Sequence, residues 1–134
     1  MTAVICIDDK NGMMFNGRRQ SRDRLLIEDL IDFIGSRRLM LSPFSALLFE
    51  DHKERVTVSP DFIDEAEEED ICFIENAEPS LFMDKTKELV IYRWNRAYPS
   101  DMRFEADISS FRLTDSKDII GSSHSRITRE VYQR

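Results

Sequence analysis

The strongest constraint on the fold is an alternation. Short apolar runs recur along the chain, separated by stretches with helical signals, until the last two runs follow each other without a helix. "AVICI" (Ala3 to Ile7), "RRLML", "RVTVS", "ICFIEN" and "ELVIYRW" read as strands, as do "SFRLTDSK" and "SRITREVYQR" near the end. Ser21 is expected to cap a helix in "SRDRLLIEDLIDFIG". Leu26, Ile27, Leu30, Ile31, Phe33 and Ile34 fall there at helical spacing, and Gly35 marks the stop. Shorter helices are expected in "SPFSALLFED", with Ser42 as cap and Pro43 in the first turn, and in "SPDFIDEA" and "EPSLFMDK". Repeated strand–helix units require a mostly parallel sheet with helices on both faces, and the strand-only ending adds an antiparallel C-terminal edge. The expected class is α/β, as one domain over residues 1–134.

Composition narrows the function classes. The chain is 41% hydrophobic and 34% charged, which suits a folded soluble protein and is too apolar for disorder. No apolar run approaches the ~18 residues that span a bilayer. The N-terminus shows no signal-peptide pattern, so a cytoplasmic location and no membrane partner are expected. Cys6 and Cys72 lie inside apolar runs and read as buried, reduced thiols. The net charge is −7, with the excess in residues 56–90, which hold eleven acidic and two basic side chains. "DEAEEED" (Asp64 to Asp70) reads as a solvated helix face and loop. Broad nucleic-acid binding needs a basic face and is disfavoured. A local cationic site remains compatible with the total, because charge is screened over about 10 Å.

One stretch stands out against that acidic background. "DDKNGMMFNGRRQSRD" (Asp8 to Asp23) combines turn signals at Asn11-Gly12 and Asn16-Gly17 with Arg18, Arg19 and Arg22. "NRAYPSDMRFEADI" reads as a loop with little order of its own, and His52 as a surface-loop residue. His124 lies in "GSSHS". A serine–histidine pair supports nucleophilic chemistry, but neighbouring strand positions point to opposite faces. Two distant histidines and buried cysteines make no zinc site, and no metal site is expected.

The order of these pieces resembles the dihydrofolate reductase family over nearly the whole chain. "AVICIDDKNGMMFNG" is similar to that family's first strand and mobile loop, and "IEDLIDF" (Ile27 to Phe33) to its first helix. "FMDKTKELVIYRW" and "GSSHSRITREVYQR" are similar to its later strands, including the Ser-His-Ser step. The resemblance implies a cofactor cleft whose phosphates sit on glycines and helix N-termini, and a folate pocket with an acid and an aromatic on the first helix. Several features depart from this pattern. Glu75-Asn76 stands where the family has a Gly-Gly pair, and a carboxylate facing a phosphate costs roughly a few kcal/mol at intermediate dielectric. Ser42-Pro43-Phe44 replaces a Gly-Arg-x-Thr turn, and "RRQSR" replaces a Pro-Trp segment. Tyr92 stands where the family carries a small hydroxyl, and the pocket acid is either Asp23 or Asp29. No nicotinamide cofactor is therefore expected, and a reductase is disfavoured.

If the fold holds, the first loop, the start of the first helix and the end of the fifth strand line one cleft. The candidate ligand-binding set is Arg18, Arg19, Arg22, Asp23, Asp29, Tyr92, Arg93, Trp94 and Arg96. Arginine forks match phosphate or carboxylate, and Trp94 can stack on a planar group. The expected role is a non-reductase protein binding an anionic or nucleotide-like small molecule, with catalytic residues unassigned. The competing view pairs the same arginines with Asp8, Asp9, Asp23 and the acidic middle segment. Two further alternatives are an enzyme of different chemistry (hydrolase, nuclease or transferase on a phosphorylated substrate) and a protein-binding scaffold that self-associates through an edge strand.

Overall fold

A computed structural model describes all residues, 1–134. Seven strands form one sheet: β1 (Thr2–Ile7), β4 (Leu39–Leu41), β5 (Val56–Val58), β6 (Ile71–Phe73), β7 (Glu88–Arg93), β9 (Arg112–Ile119) and β10 (Ile127–Gln133). Their order across it is β5-β4-β6-β1-β7-β10-β9. The pairs from β5 through β7 are parallel, and β10 pairs antiparallel with both β7 and β9. That is the alternation of the sequence expressed as topology. Each strand up to β7 needs a crossover, while β9 and β10 need only a turn.

The central strand β1 shows why two layers pack on this sheet. Its side chains alternate, with Ala3, Ile5 and Ile7 in one apolar cluster and Val4 in the other. The Val4 side holds the helix α1 (Arg24–Ile34), which buries Leu26, Ile27, Leu30, Ile31 and Ile34. Gly35 ends that helix at φ 59°, a conformation that favours glycine. The opposite side holds Phe62 of the short helix α2 (Phe62–Glu65) and Phe82, which lies between two single 3₁₀ turns. No helix is long and apolar enough to cross a membrane.

Three expectations are corrected. The helix cap is Asp23, not Ser21, because the Asp23 carboxylate accepts from the Leu25 and Leu26 N–H groups. The segment after β4 is two 3₁₀ stretches over Ala46–Arg55 rather than a helix capped by Ser42. They meet at a kink where Phe49 and His52 leave helical angles. The arginine-bearing stretch is not a loop throughout. Gly12–Phe15 (β2) and Arg18–Arg19 (β3) form a hairpin, and Met102–Arg103 (β8) adds a third strand from a segment read as structureless. Asn16 and Gly17 both take positive φ, which gives the two-residue turn that matches strand twist.

Cys72 is buried as expected, while Cys6 is half-buried. Burial pushes Cys72 up to about 12, and burial, reinforced by the Glu75 charge, pushes Cys6 well above the ordinary thiol range. A thiolate is the reactive form. Native protein at pH 8 is therefore expected to give no colour with Ellman's reagent, and two thiols per chain once unfolded in guanidinium. Colour in the native state would contradict this packing.

Candidate functional site

The carboxyl ends of β1, β4, β6 and β7 open toward the hairpin. Arg19, at the end of β3, reaches back across this crevice. Its Nε donates to Glu75 Oε2 at 2.8 Å and its Nη2 to Glu75 Oε1 at 2.9 Å, a bidentate pair. The same Nη2 donates to the Phe44 carbonyl at 3.0 Å, and the guanidinium lies 4.5 Å over the Phe44 ring. Ser45 Oγ donates to Glu75 Oε1 at 2.7 Å. Segments following β3, β4 and β6 are thus tied together. The resemblance would put the phosphates of a dinucleotide where Glu75 now sits. A carboxylate bound to the protein's own arginine is the wrong charge for that group, so these residues do not fit the nicotinamide cofactor.

The interior beneath is packed. A cavity of about 10 Å³ lies there, lined by apolar residues including Cys6, Leu26, Phe73 and Trp94 and, toward the groove, by Ser21, Arg22, Asp23 and Glu75. That volume holds about one water and excludes a bicyclic ring. Asp29, farther along α1, is engaged by the protein itself. Tyr92 Oη donates to its Oδ2 at 2.7 Å, and Arg129 Nη1 donates to the same oxygen at 2.8 Å. Arg129 also lies 4.8 Å over the Phe33 ring. Burial, then the neighbouring Asp29 charge, pushes the Tyr92 phenol well above its ordinary range. Of the two acids open at the sequence level, Asp29 meets Tyr92, and Asp23 does not.

Asp23 has a different set of partners. Besides capping α1, it accepts from the N–H and Oγ of both Ser122 and Ser123, at 2.8–3.1 Å. His124 Nδ1 donates to Asp23 Oδ2 at 3.0 Å, with both side chains essentially inaccessible. Burial alone would raise the carboxyl's pKa, but these hydrogen bonds hold it well below the usual range. With Nδ1 protonated toward Asp23, a neutral imidazole carries its lone pair on Nε2. Tyr98 Oη lies 2.9 Å and Ser21 Oγ 3.2 Å from that nitrogen. Trp94 stacks on the ring with centroids 4.6 Å apart. The strand-face objection to His124 does not apply, since residue 124 lies in the bend before β10.

Outside this array runs an open groove of about 610 Å³, lined by Arg18, Arg19, Ser21, Arg22, Phe44 and Ser123. Arg18 and Arg22 are exposed and stand outside the ion pairs that engage Arg19, Arg93 and Arg129. A second crevice of about 400 Å³ runs between α1 and the 3₁₀ stretch, where His52 is half-buried and 3.0 Å from Glu28, rather than a free loop residue.

The structure therefore brings Arg18, Arg19, Arg22 and Asp23 together, with Trp94 beneath them. Trp94 is buried against His124, so its face is not open to a base. Arg93 pairs with Glu130 at 2.5 Å on β10, and Arg96 lies beyond β7 with its carbonyl taken by the Asp9 N–H. Asp29 and Tyr92 are in the core layer between α1 and the sheet. Asp8, a proposed arginine partner, instead accepts from the Lys10, Gly12 and Tyr98 N–H groups and from Gln20. Ser21, Tyr98 and His124 were not singled out together by the sequence, because residues 21, 98 and 124 meet only in the fold.

No protein-family model and no curated protein matches the chain. Among solved structures, it is similar to a dihydrofolate reductase from Enterococcus faecalis complexed with NADP(H) and RAB-propyl. The TM-score is 0.71 at 12% identity, covering 99% of this chain and 95% of that one. The chain has the dihydrofolate reductase fold.

Proposed function

We propose that this chain is a non-reductase protein of the dihydrofolate reductase fold that binds a small anionic, nucleotide-like ligand in the groove of Arg18, Ser21 and Arg22. One observation carries the reading. In a chain of net charge −7, that groove gathers three arginines and no carboxylate among its six lining residues. Arg19 is neutralised by Glu75, which leaves Arg18 and Arg22 to meet an anion. Phe44 offers an apolar wall, although its ring already faces Arg19. The non-reductase part is supported by the Arg19–Glu75 pair, by the 10 Å³ interior cavity and by the engagement of Asp29. A cytoplasmic protein without a bound nicotinamide cofactor belongs to the same reading.

Thermal denaturation with pyrophosphate, ADP, dihydrofolate and NADPH tests it. An anion held at 100 times its Kd should raise Tm by roughly 5–10 °C. The Arg18→Ala/Arg22→Ala double substitution should remove most of that rise. Mixing NADPH with dihydrofolate should produce no oxidation of NADPH. A rise that survives the double substitution, or measurable turnover of NADPH, would overturn the reading.

A further inference from the structure

The array beneath the groove has an order of burial that a purely structural cluster does not need. Its acid and imidazole are almost wholly inaccessible, with side-chain exposures of 0% and 1%. Its hydroxyl, Ser21 Oγ, is half-buried and lines the open groove. Asp23 orients the imidazole through Nδ1, and Nε2 faces Ser21 at 3.2 Å. The chain carrying Ser21 joins β3 to α1, so the serine is fixed from both sides. We propose that Ser21 is the nucleophile of an esterase site, with His124 as its general base and Asp23 as a positioning residue, acting on carboxylic esters that carry an anionic group. The anionic part of this substrate rests on the ligand reading above; the nucleophile does not.

The chemistry balances with water as the only co-reactant. Ser21 Oγ attacks the ester carbonyl carbon, and its proton passes to His124 Nε2. The carbonyl π pair moves onto oxygen, where Arg18 and Arg22 are the charges available in the groove. Collapse breaks the bond to the alcohol oxygen, which leaves with the proton from Nε2, and the acyl group stays on Ser21. Water then attacks this ester and gives its proton to Nε2. The second collapse returns that proton to Ser21 Oγ and releases the acid. Tyr98 Oη shares Nε2 at 2.9 Å and competes with Ser21 for the lone pair. Removing that hydroxyl leaves Ser21 as the nitrogen's sole hydroxyl partner.

The test is covalent. The full chain is treated with diisopropyl fluorophosphate, a neutral probe, and the adduct is located by peptide mass spectrometry. One adduct at Ser21 is expected, absent in Ser21→Ala. Tyr98→Phe should label at least about 2-fold faster, a change that a structural role for the cluster does not produce. His124→Gln, checked for native circular dichroism, should label at least 100-fold more slowly. No adduct on folded protein, an adduct at Tyr98 instead, or equal labelling in folded His124→Gln would overturn the nucleophile.

The second arm compares p-nitrophenyl hemisuccinate with p-nitrophenyl acetate. The hemisuccinate should be preferred in kcat/KM, and Arg18→Ala/Arg22→Ala should reduce that preference at least 10-fold. Labelling at Ser21 without that preference would overturn the anionic substrate class alone. Anion binding without labelling would overturn the esterase alone.

Discussion

Asp23→Ala should lower the free energy of unfolding at pH 7 by about 3–5 kcal/mol, measured by urea denaturation. Seven donors converge on this carboxylate: the N–H groups of Leu25, Leu26, Ser122 and Ser123, both serine hydroxyls, and His124 Nδ1. Alanine strands two of them, the Leu26 N–H and His124 Nδ1, out of reach of water, and each buried, unpaired donor costs about 1–3 kcal/mol. The helix also loses its cap, typically worth about 1 kcal/mol. The same carboxylate predicts an acid profile. Its native pKa is held below the ordinary value of 3.8, so its contribution is complete above that pH. As pH falls below it, the unfolded chain takes up a proton that the native state refuses, and stability declines. Wild type should therefore lose urea resistance between about pH 4 and pH 2, and Asp23→Ala should show a flatter profile over that window. Gly121→Ala reports on the same turn, because a Cβ there would lie 2.4 Å from Asp23 Oδ2 and 2.8 Å from the His124 carbonyl. A neutral Asp23→Ala would mean that the turn before β10 is held by something else.

The sequence was most legible where one residue's chemistry decides one local outcome. Strands such as Ile71–Phe73 announce themselves because both faces are buried, so no polar residue interrupts them. Gly35 and the Asn16-Gly17 pair mark positive φ, although the second marks a hairpin rather than a loop end. Asp23 and Ser21 are both competent caps two residues apart. What decides between them is the turn at residues 122–124, which donates to Asp23 from the far end of the chain. Arg19 was legible as a cation and Glu75 as a carboxylate in the wrong place for a phosphate. That each answers the other is a property of β3 and β6 ending on the same side of the sheet. The Ser21–His124–Asp23 array was illegible for the same reason. Local patterning carries no information about a contact made across 103 residues.

Asp29→Ala should be comparably destabilising, by about 3–5 kcal/mol, because it leaves a charge rather than a cavity. The Arg129 side chain is only 11% exposed, and its remaining carboxylate partner is Asp115, more distant at 3.6 Å and itself exposed. Tyr92, fully buried, loses the acceptor of its hydroxyl in the same step. Tyr92→Phe should cost less, about 1 kcal/mol, since Arg129 still serves Asp29 and the phenyl ring keeps its packing. Replacing both charges, as Asp29→Leu/Arg129→Met, should recover most of the loss, because a buried ion pair contributes little net stability against well-packed apolar groups. Urea midpoints for the three variants check this ordering. The outcome also bears on function. A pterin held by this acid would have to displace Tyr92 and Arg129 from a carboxylate oxygen they already share, at a cost comparable to the loss in Asp29→Ala. If Asp29→Ala proved neutral, the carboxylate would be loosely held and free for a ligand, and the case against a reductase would lose one of its three supports. A large cost, with recovery in the double replacement, means that this part of the pocket is filled by the chain's own donors, and points ligand chemistry outward to Arg18, Ser21 and Arg22.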